Sequence, residues 1–111
     1  MDDTTGVGIV EVVQFKAKPG VSDAQICAAA DALQRDVEHF PGYMHRRLLK
    51  SEDGQWLDMV DWTGLDEALR AAEAIMARPS AQDFMELVEP ESITMLHLAP
   101  VQVYGRATAV S

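Results

Sequence analysis

Residues 55–64 read QWLDMVDWTG, a segment with the composition of a buried β-strand and with two carboxylates in its middle. Side chains alternate between the two faces of a strand, so the segment divides into two sets. One face carries Trp56, Asp58, Val60 and Trp62, and the other carries Leu57, Met59, Asp61 and Thr63. Neither set is a plain solvent face. The segment therefore predicts a strand that is covered on both sides, with an acid on each.

This strand is the second half of a predicted β-hairpin. Asp53-Gly54 is a strong signal for a two-residue turn, and it joins a strand over residues 43–51 to the strand over residues 55–63. A two-residue turn places Glu52 opposite Gln55 and fixes the register of both strands. Counting outward from that pair predicts the cross-strand neighbours Leu49–Asp58, Arg47–Val60, Arg46–Asp61 and His45–Trp62.

The remaining elements follow from hydrophobic spacing and from helix-cap signals. Residues 8–16 predict a first strand, and Ser22 with Gln25 has the spacing of a capping box for a helix that runs to about residue 39. Thr63 with Asp66 predicts the cap of a second helix. Ser80 with Asp83 predicts the cap of a short third helix between Pro79 and Pro90. Residues 92–101 predict the fourth strand.

The order strand, helix, strand, strand, helix, strand is that of the ferredoxin-like split βαβ fold. We expect one α+β domain over residues 1–111, with its core at residues 8–99 and a tail at residues 100–111. Its βαββαβ chain should form a four-stranded antiparallel sheet in the order 4132. The preference for right-handed crossovers further leads us to expect that the two central strands, one and three, run parallel.

Charge and composition exclude several classes of function. Nine Lys and Arg against eighteen Asp and Glu give a net charge of −9, which repels phosphate backbones and anionic lipid, so we expect no nucleic-acid or membrane partner. No apolar run approaches the roughly 20 residues that span a bilayer. The acidic start MDDTTG lacks the features of a signal peptide and predicts a cytoplasmic protein. Cys27 is the single cysteine, and no metal-ligand spacing occurs, so we expect no metal.

Both predicted helices must lie on the same side of the sheet, which leaves the opposite face bare. Because strand three is apolar on both faces, that bare face would expose several hundred square ångströms of apolar surface, more than a soluble monomer usually shows. We therefore expect a homodimer in which two copies pack sheet to sheet around a two-fold axis. The tail at residues 100–111 begins with strand-like alternation and is expected to pair with the neighbouring copy or to fray.

Three stretches carry a resemblance to a known family. They are FKAKPG at residues 15–20, PGY at residues 41–43 and WTGLDEA at residues 62–68. With this spacing the chain resembles, over roughly residues 8–99, the antibiotic biosynthesis monooxygenase family of dimeric α/β-barrel proteins. The resemblance implies a homodimer whose sheets form a barrel, with a small pocket between sheet and helices in each subunit. For some members it also implies oxygenation of polycyclic aromatic substrates without a metal, flavin or other cofactor.

The resemblance also implies particular pocket residues. Aromatic-polyketide oxygenases of the family are similar in placing a polar residue and a tryptophan four apart on strand three, where this chain has Asp58 and Trp62. The polar residue is commonly an asparagine, whereas an ionised Asp58 only accepts hydrogen bonds. The family tyrosine of the second helical region is missing from residues 64–88. The haem-degrading branch has a histidine in that region and an asparagine where this chain has Val13, so haem degradation is set aside.

Asp58 is the first candidate catalytic residue. Burial between Trp56 and Trp62 raises the pKa of this acid unless a nearby cation holds it ionised, and an acid with a raised pKa could remove a proton from a phenolic substrate. The predicted register supplies Arg47 as that cation and brings His45 into the same patch, so an Arg47–Asp58 salt bridge at the dimer interface is the structural alternative. Asp61 is interpreted as the structural partner of Arg46 on the opposite face.

A second pair of candidates lies on the first and fourth strands. Glu11 interrupts the apolar alternation of strand one and His97 that of strand four, and the two strands are neighbours in the predicted sheet. A carboxylate that orients an imidazole makes a general base near neutral pH, although a structural hydrogen bond is the simpler interpretation. Trp62 is either a wall on which a flat substrate stacks or a core residue, and Trp56 serves packing or the interface.

Three functions remain open on the sequence. The first is cofactor-independent oxidation of a small aromatic or phenolic substrate, with Asp58 or His97 as the base and Glu11 beside it, and with Trp62, Trp56, Arg47 and His45 around the substrate. The second is a cyclase that uses a histidine base for an intramolecular aldol step. The third is a dimer that binds a small molecule without turnover.

Overall fold

The structure, a computed structural model, describes residues 6–105, and this part of the chain forms four strands and three helices. They are β1 (Ile9–Phe15), α1 (Asp23–Val37), β2 (Tyr43–Lys50), β3 (Trp56–Trp62), α2 (Leu65–Ile75), α3 (Pro79–Glu86) and β4 (Thr94–Leu98). A short 3-10 turn, Pro90–Ser92, precedes β4.

The strands form one sheet in the order β2-β3-β1-β4, and every neighbouring pair is antiparallel. The predicted ferredoxin-like α+β fold with strand order 4132 is confirmed. The expectation that strands one and three run parallel is wrong. The crossover through α1 makes β1 parallel to β2, and β3 lies between them. Because the hairpin reverses the chain after β2, β3 runs antiparallel to both neighbours.

The hairpin register differs by one residue from the prediction. Ser51 and Gln55 face each other, because the Ser51 N–H donates to the Gln55 carbonyl over 2.8 Å, so the loop has three residues rather than two. Its last residue, Gly54, has a φ of +92°, the left-handed conformation that three-residue hairpin loops require. The observed neighbours are therefore Leu48–Asp58, Arg46–Val60 and His45–Asp61.

Helix α1 begins as predicted, and the other two helices do not. The Ser22 hydroxyl accepts from the Gln25 N–H over 3.1 Å, and the Gln25 side chain accepts from the Ser22 N–H over 2.8 Å. The cap of α2 is Gly64 rather than Thr63, whose N–H instead donates to the Gly42 carbonyl. Helix α3 has Pro79 as its first residue, a position where the fixed φ of proline already suits a helix and its missing N–H costs nothing.

The fourth strand is shorter than predicted. The 3-10 turn includes residue 92, where the strand was predicted to begin. The strand ends two residues before Pro100, which has no N–H to donate to a neighbouring strand. Residues 99–105 form no strand in the structure. The rest of the predicted tail, residues 106–111, lies outside the described residues, so its pairing with a neighbouring copy stays a prediction.

All three helices cover the same face of the sheet, which we call the inner face. Two core clusters hold them there. One joins α1 and α2 to the sheet through Ile9, Val37, Val60, Trp62, Ala68 and Ala71. The other joins α1 and α3 to the sheet through Phe15, Ile26, Ala30, Trp56, Phe84 and Val88. The acids at positions 11 and 58 alternate with these core residues, so both lie beneath the helices.

The opposite face of the sheet, the outer face, has no helix over it in residues 6–105. Strand register assigns to it the side chains of Val10, Val12, Leu49, Leu57, Met59, Leu96 and Leu98, together with Asp61, His45 and Arg47. The leucines at positions 49, 96 and 98 are exposed. No helix within residues 6–105 is long and apolar enough to cross a membrane.

Gly8 provides a test of the close approach between the start of β1 and the end of β3. A Cβ atom at this position would overlap the Thr63 carbonyl oxygen, and the Gly8 N–H donates to the Trp62 carbonyl over 2.9 Å. Gly8→Ala should therefore lower the free energy of unfolding by about 1–3 kcal/mol, the usual cost of overpacking. Gly105→Ala is the matched control, since no atom lies within 4 Å of its added Cβ. Urea denaturation of both variants measures the difference, and equal stabilities would contradict the described contact.

Candidate functional site

A cavity of about 320 Å³ lies between the inner face of the sheet and the helices. Its floor is made by β1 and β3, and its walls are mostly apolar side chains of the three helices, such as Leu33, Ile75 and Phe84. Among residues 6–105, three charged residues line it, namely Glu11, Arg46 and Asp58. An apolar pocket with a few converging polar groups is the usual form of a small-molecule site.

Strand register brings the two acids together on this floor. Val13 faces Asp58 across the β1–β3 pair, and Glu11 faces Val60, so the acids are diagonal neighbours on one face. Each acid is only 8% exposed. Burial of two carboxylates in an apolar cavity is costly unless each has a partner. Their partners therefore determine what each can do.

Asp58 is held by Arg46 in a two-point ion pair. The Arg46 Nε donates to Oδ1 over 2.9 Å, and Nη2 donates to Oδ2 over 2.7 Å. The third nitrogen of the guanidinium, Nη1, donates to the Ala30 carbonyl over 3.0 Å and to the Gln34 side chain over 3.2 Å. The pair thus ties β2 and β3 to α1. Both oxygens of Asp58 are already engaged, which favours a structural role for this residue.

The predicted pairs Arg47–Asp58 and Arg46–Asp61 are therefore wrong. A one-residue change of register moves a whole strand to the opposite face, so Arg46 rather than Arg47 reaches Asp58. Arg47 and His45 lie on the outer face, away from the cavity. The imidazole of His45 approaches Asp61, with 3.9 Å between Nδ1 and Oδ2.

Glu11 has the neighbour that the sequence suggested. Position 11 faces position 97 across the β1–β4 pair, and 3.0 Å separates the His97 Nε2 from the Glu11 Oε2. Burial raises the pKa of Glu11, the hydrogen bond and charge of His97 oppose that rise, and the nearby Asp58 carboxylate adds to it. His97 is not among the residues that line the cavity. It contacts Glu11 from the side, so any influence of His97 on a ligand passes through Glu11.

Trp62 lines the cavity. Its side chain is 2% exposed, and its ring meets the ring of Tyr43 edge to face at a centroid distance of 6.0 Å. Among the described residues its indole Nε1 has no hydrogen-bond partner. The N–H lies near enough to Glu11 to lower the pKa of that acid, although the two groups do not meet in normal hydrogen-bond geometry. This unpartnered donor could not have been found from sequence spacing.

The other predicted site residues are placed differently. Trp56 does not line the cavity. Its ring stacks on Phe15 at a centroid distance of 5.9 Å, and the Lys50 ammonium lies 5.3 Å from its ring centroid, so its surroundings indicate a packing role. Three exposed methionines also line the cavity, namely Met76 directly after α2, Met85 of α3 and Met95 of β4. Flexible thioether side chains of this kind adapt to ligands of varied shape.

A metal has no evident place within residues 6–105, where no group of three or more His, Cys, Asp or Glu side chains could hold one. The charged residues on the cavity floor are two carboxylates and one guanidinium that is already bound to a carboxylate. The set suits a neutral organic molecule with a polar edge, because the walls are apolar and the acids are concentrated at one place.

Comparison with known proteins supports the fold. No protein-family model matches the sequence, and no curated protein matches it. Among solved structures, SnoaB, a cofactor-independent oxygenase from Streptomyces nogalater, matches at 17% identity and a TM-score of 0.72, covering 90% of this chain and 99% of that chain. A candidate antibiotic biosynthesis monooxygenase from Nitrosomonas europaea matches at 16% identity and a TM-score of 0.71, covering 91% of this chain and 97% of that chain. Another from Caulobacter crescentus matches at 17% identity and a TM-score of 0.67, covering 86% and 92%.

These likenesses confirm that the chain has the fold of antibiotic biosynthesis monooxygenases, which the sequence resemblance implied. At identities this low, the fold is what the likeness establishes. The chemistry of the cavity must therefore be argued from the side chains of this chain.

The raised pKa of Glu11 predicts a pH dependence of stability. Between the ordinary value of 4.5 and the raised folded value, the native state binds more protons than the unfolded state. Stability should therefore fall as pH rises through this window and then level off. Glu11→Gln removes this titrating group. The free energy of unfolding of the variant minus that of the wild type should therefore increase as pH rises through the same window.

Denaturant unfolding of the two proteins at a series of pH values measures this difference. Because His97 contacts Glu11, the comparison should be repeated in a His97→Gln background. Asp58 is a diagonal neighbour of Glu11, but it is present with its Arg46 partner in all four proteins. A stability difference that does not change with pH would show that Glu11 has an ordinary proton affinity.

Proposed function

We propose that the protein is a cofactor-independent monooxygenase that oxidises a small, flat phenolic or enolisable aromatic molecule. The observation that carries the proposal is a single one: Glu11, a buried acid with a raised pKa, lies on the floor of an otherwise apolar cavity. The fold is shared with SnoaB, itself a cofactor-independent oxygenase, and this likeness supports the same class of chemistry.

Glu11 is the catalytic base of this proposal. A carboxylate with a raised pKa is a stronger base than an exposed one, and it can take a proton from a phenol or an activated methylene group. Asp58 is less suited to this task, because Arg46 engages both of its oxygens. His97 is a positioning residue, since it hydrogen-bonds Glu11 from outside the cavity lining. The sequence had suggested Asp58 or His97 as the base, and the geometry favours Glu11.

The substrate anion supplies the electrons for the reaction. Loss of a proton to Glu11 leaves an electron-rich aromatic anion, which reacts with dioxygen in the cavity. For a methylene substrate the balanced change is R₂CH₂ + O₂ → R₂C=O + H₂O, in which one oxygen atom enters the product and the other leaves as water. Apolar walls exclude water and so protect the reactive intermediate from side reactions.

A binding protein without turnover is the second candidate. It is favoured by the Arg46–Asp58 pair, because both oxygens of Asp58 are already engaged by Arg46. It is favoured also by the absence of a tyrosine from residues 64–88. Such a protein would still bind a small aromatic molecule in the same cavity, so binding alone does not separate the two candidates.

The oxygenase proposal predicts oxygen consumption that depends on Glu11. Purified protein should take up dioxygen with one or more members of a panel of anthrone-like and quinol compounds. Glu11→Gln should lower kcat/KM by about 10² to 10⁴, the usual contribution of a general base. Glu73→Gln is the matched control, because Glu73 is an exposed residue of α2 outside the cavity lining.

An oxygen electrode follows uptake, and mass spectrometry of the product tests for an added oxygen atom. Equal rates for the Glu11 and Glu73 variants would remove Glu11 from the mechanism. Product formation without oxygen consumption would indicate the cyclase alternative. The absence of turnover, with a small molecule retained through purification, would indicate the binding protein.

We also propose that two copies pack through their outer faces. Within residues 6–105 no helix lies over the apolar residues of this face, and Leu96, which faces Val12 across β1 and β4, is 40% exposed. A second sheet would cover this surface, which otherwise exceeds what a soluble monomer usually leaves open.

Sedimentation velocity tests the dimer. The wild type should sediment as a dimer at micromolar concentration, and Leu96→Lys should sediment as a monomer, because the substitution buries a charge in the interface. Leu69→Lys is the matched control. Leu69 lies on α2, outside the outer face, and is 47% exposed, close to the exposure of Leu96. A wild type that sediments as a single chain would overturn the proposed packing.

A further inference from the structure

Methionine side chains mark the opening of the cavity. A residue that lines the cavity and is also exposed must lie where the cavity meets solvent. Among residues 6–105, every exposed residue that lines the cavity is a methionine, namely Met76, Met85 and Met95. Their exposed fractions are 59%, 39% and 49%. We call these three residues the methionine rim.

The methionine rim is assembled from three separate parts of the fold. Met76 directly follows α2, Met85 lies on α3 and Met95 lies on β4. Met95 faces Val13 across β1 and β4, and both residues line the cavity, so Met95 lies on the inner face of the sheet. A dimer formed through the outer faces would leave this residue on the opposite side of the sheet.

The other two methionines within residues 6–105 have different surroundings. Met44 and Met59 are half-buried, and neither lines the cavity. Met59 lies on the outer face, where its sulfur is 4.0 Å from Nη2 of Arg47. These two residues therefore serve as internal references for the methionine rim.

Methionine is an apolar side chain that an oxidant can make polar. Hydrogen peroxide transfers one oxygen atom to an exposed thioether, R–S–CH₃ + H₂O₂ → R–S(O)–CH₃ + H₂O. The O–O bond of the peroxide breaks, an S–O bond forms, and the sulfur gives two electrons to the peroxide, whose other oxygen leaves as water. The sulfoxide is polar and accepts hydrogen bonds. Methionine sulfoxide reductases restore the thioether, so the change is reversible.

We propose that the methionine rim is a modification site for peroxide, and that its oxidation closes the cavity to apolar ligands. Oxidation places hydrated sulfoxide oxygens around the opening. A ligand without polar groups must displace the water from these oxygens and offers them no hydrogen bond in return. The buried walls farther in, such as Val60 and Phe84, keep their chemistry.

The inference goes beyond the proposed function. It requires only that an apolar molecule enters the cavity, which holds for the oxygenase and for the binding protein alike. A rim of leucines would be equally apolar and would not respond to peroxide. The presence of sulfur at all three exposed positions of the lining is the observation that carries the proposal.

Methyl signals of methionine test the proposal directly. Protein labelled with ¹³C at the methionine methyl groups gives a separate signal for each thioether and for each sulfoxide, and single Met→Leu variants assign the signals. Naphthalene is the probe, because it has no polar group. We expect its ring current to move the signals of the methionine rim and to leave those of Met44 and Met59 nearly unchanged.

Limited treatment with hydrogen peroxide should convert the three rim signals to sulfoxide before those of Met44 and Met59. The oxidised wild type should bind naphthalene about tenfold or more weakly, since unpaired polar groups at an apolar contact typically cost this much. Methionine sulfoxide reductases should restore the affinity. Unchanged signals of Met44 and Met59 show that the protein stays folded throughout.

A variant with Met76→Leu, Met85→Leu and Met95→Leu isolates the sulfur atoms. Leucine nearly conserves the volume and apolar character of methionine, so this variant should bind naphthalene equally well before and after peroxide. The matched control carries Met44→Leu and Met59→Leu and should remain sensitive to peroxide. Cys27→Ser should remain sensitive too, because the exposed thiol of Cys27 does not line the cavity.

Equal affinity of the reduced and oxidised wild type for naphthalene would overturn the proposal, and this comparison needs no variant to fold. A leucine-rim variant as sensitive as the wild type, or naphthalene that moves none of the rim signals, would also overturn it. Sensitivity to peroxide together with no oxygen uptake on any substrate would retain the methionine rim and reject the oxygenase. Oxygen uptake with binding that peroxide does not change would do the reverse.

Discussion

The buried pair of Arg46 and Asp58 is the interaction on which the arrangement of the cavity depends. It crosses three elements, because the arginine lies on β2, the acid on β3, and the remaining guanidinium donor reaches the backbone of α1. Removing one partner of a buried ion pair typically costs about 3–5 kcal/mol, because the remaining charge is left without compensation. The pair therefore fixes how α1 lies over the sheet, and with it one wall of the cavity.

The pair also separates the roles of the two acids. Asp58 and Glu11 are equally buried and share one floor, yet one has an arginine with two-point geometry and the other has a histidine at one oxygen. Carboxylates in one site with different surroundings often differ in proton affinity, and such differences mark acid and base roles. Here burial raises the pKa of Glu11, and the hydrogen bond with His97 at one oxygen opposes that rise.

The sequence predicted the fold and one of the two polar pairs, and the reasons are physical. Element order, helix α1 with its capping box and the nearness of Glu11 to His97 follow from local patterns and from the strand order of the fold. The sequence did not predict which cation binds Asp58, because Asp53-Gly54 suits both two-residue and three-residue loops. A choice between them moves the register by one residue and exchanges Arg46 for Arg47 on the inner face. The unpartnered N–H of Trp62 depends on side-chain orientation, which no spacing encodes.

Strand β3 carries an acid on each face, and the two acids have different surroundings. Asp58 lies under the helices and needs a buried arginine, whereas Asp61 lies on the outer face and has the histidine of β2 near it. A strand that is covered on one face only can slip by one residue at the cost of moving its side chains to the other face. If a second copy covers the outer face, that slip becomes unfavourable on both sides of the sheet. The same packing that completes the dimer would then hold Glu11, Asp58 and Trp62 in the register that forms the cavity floor.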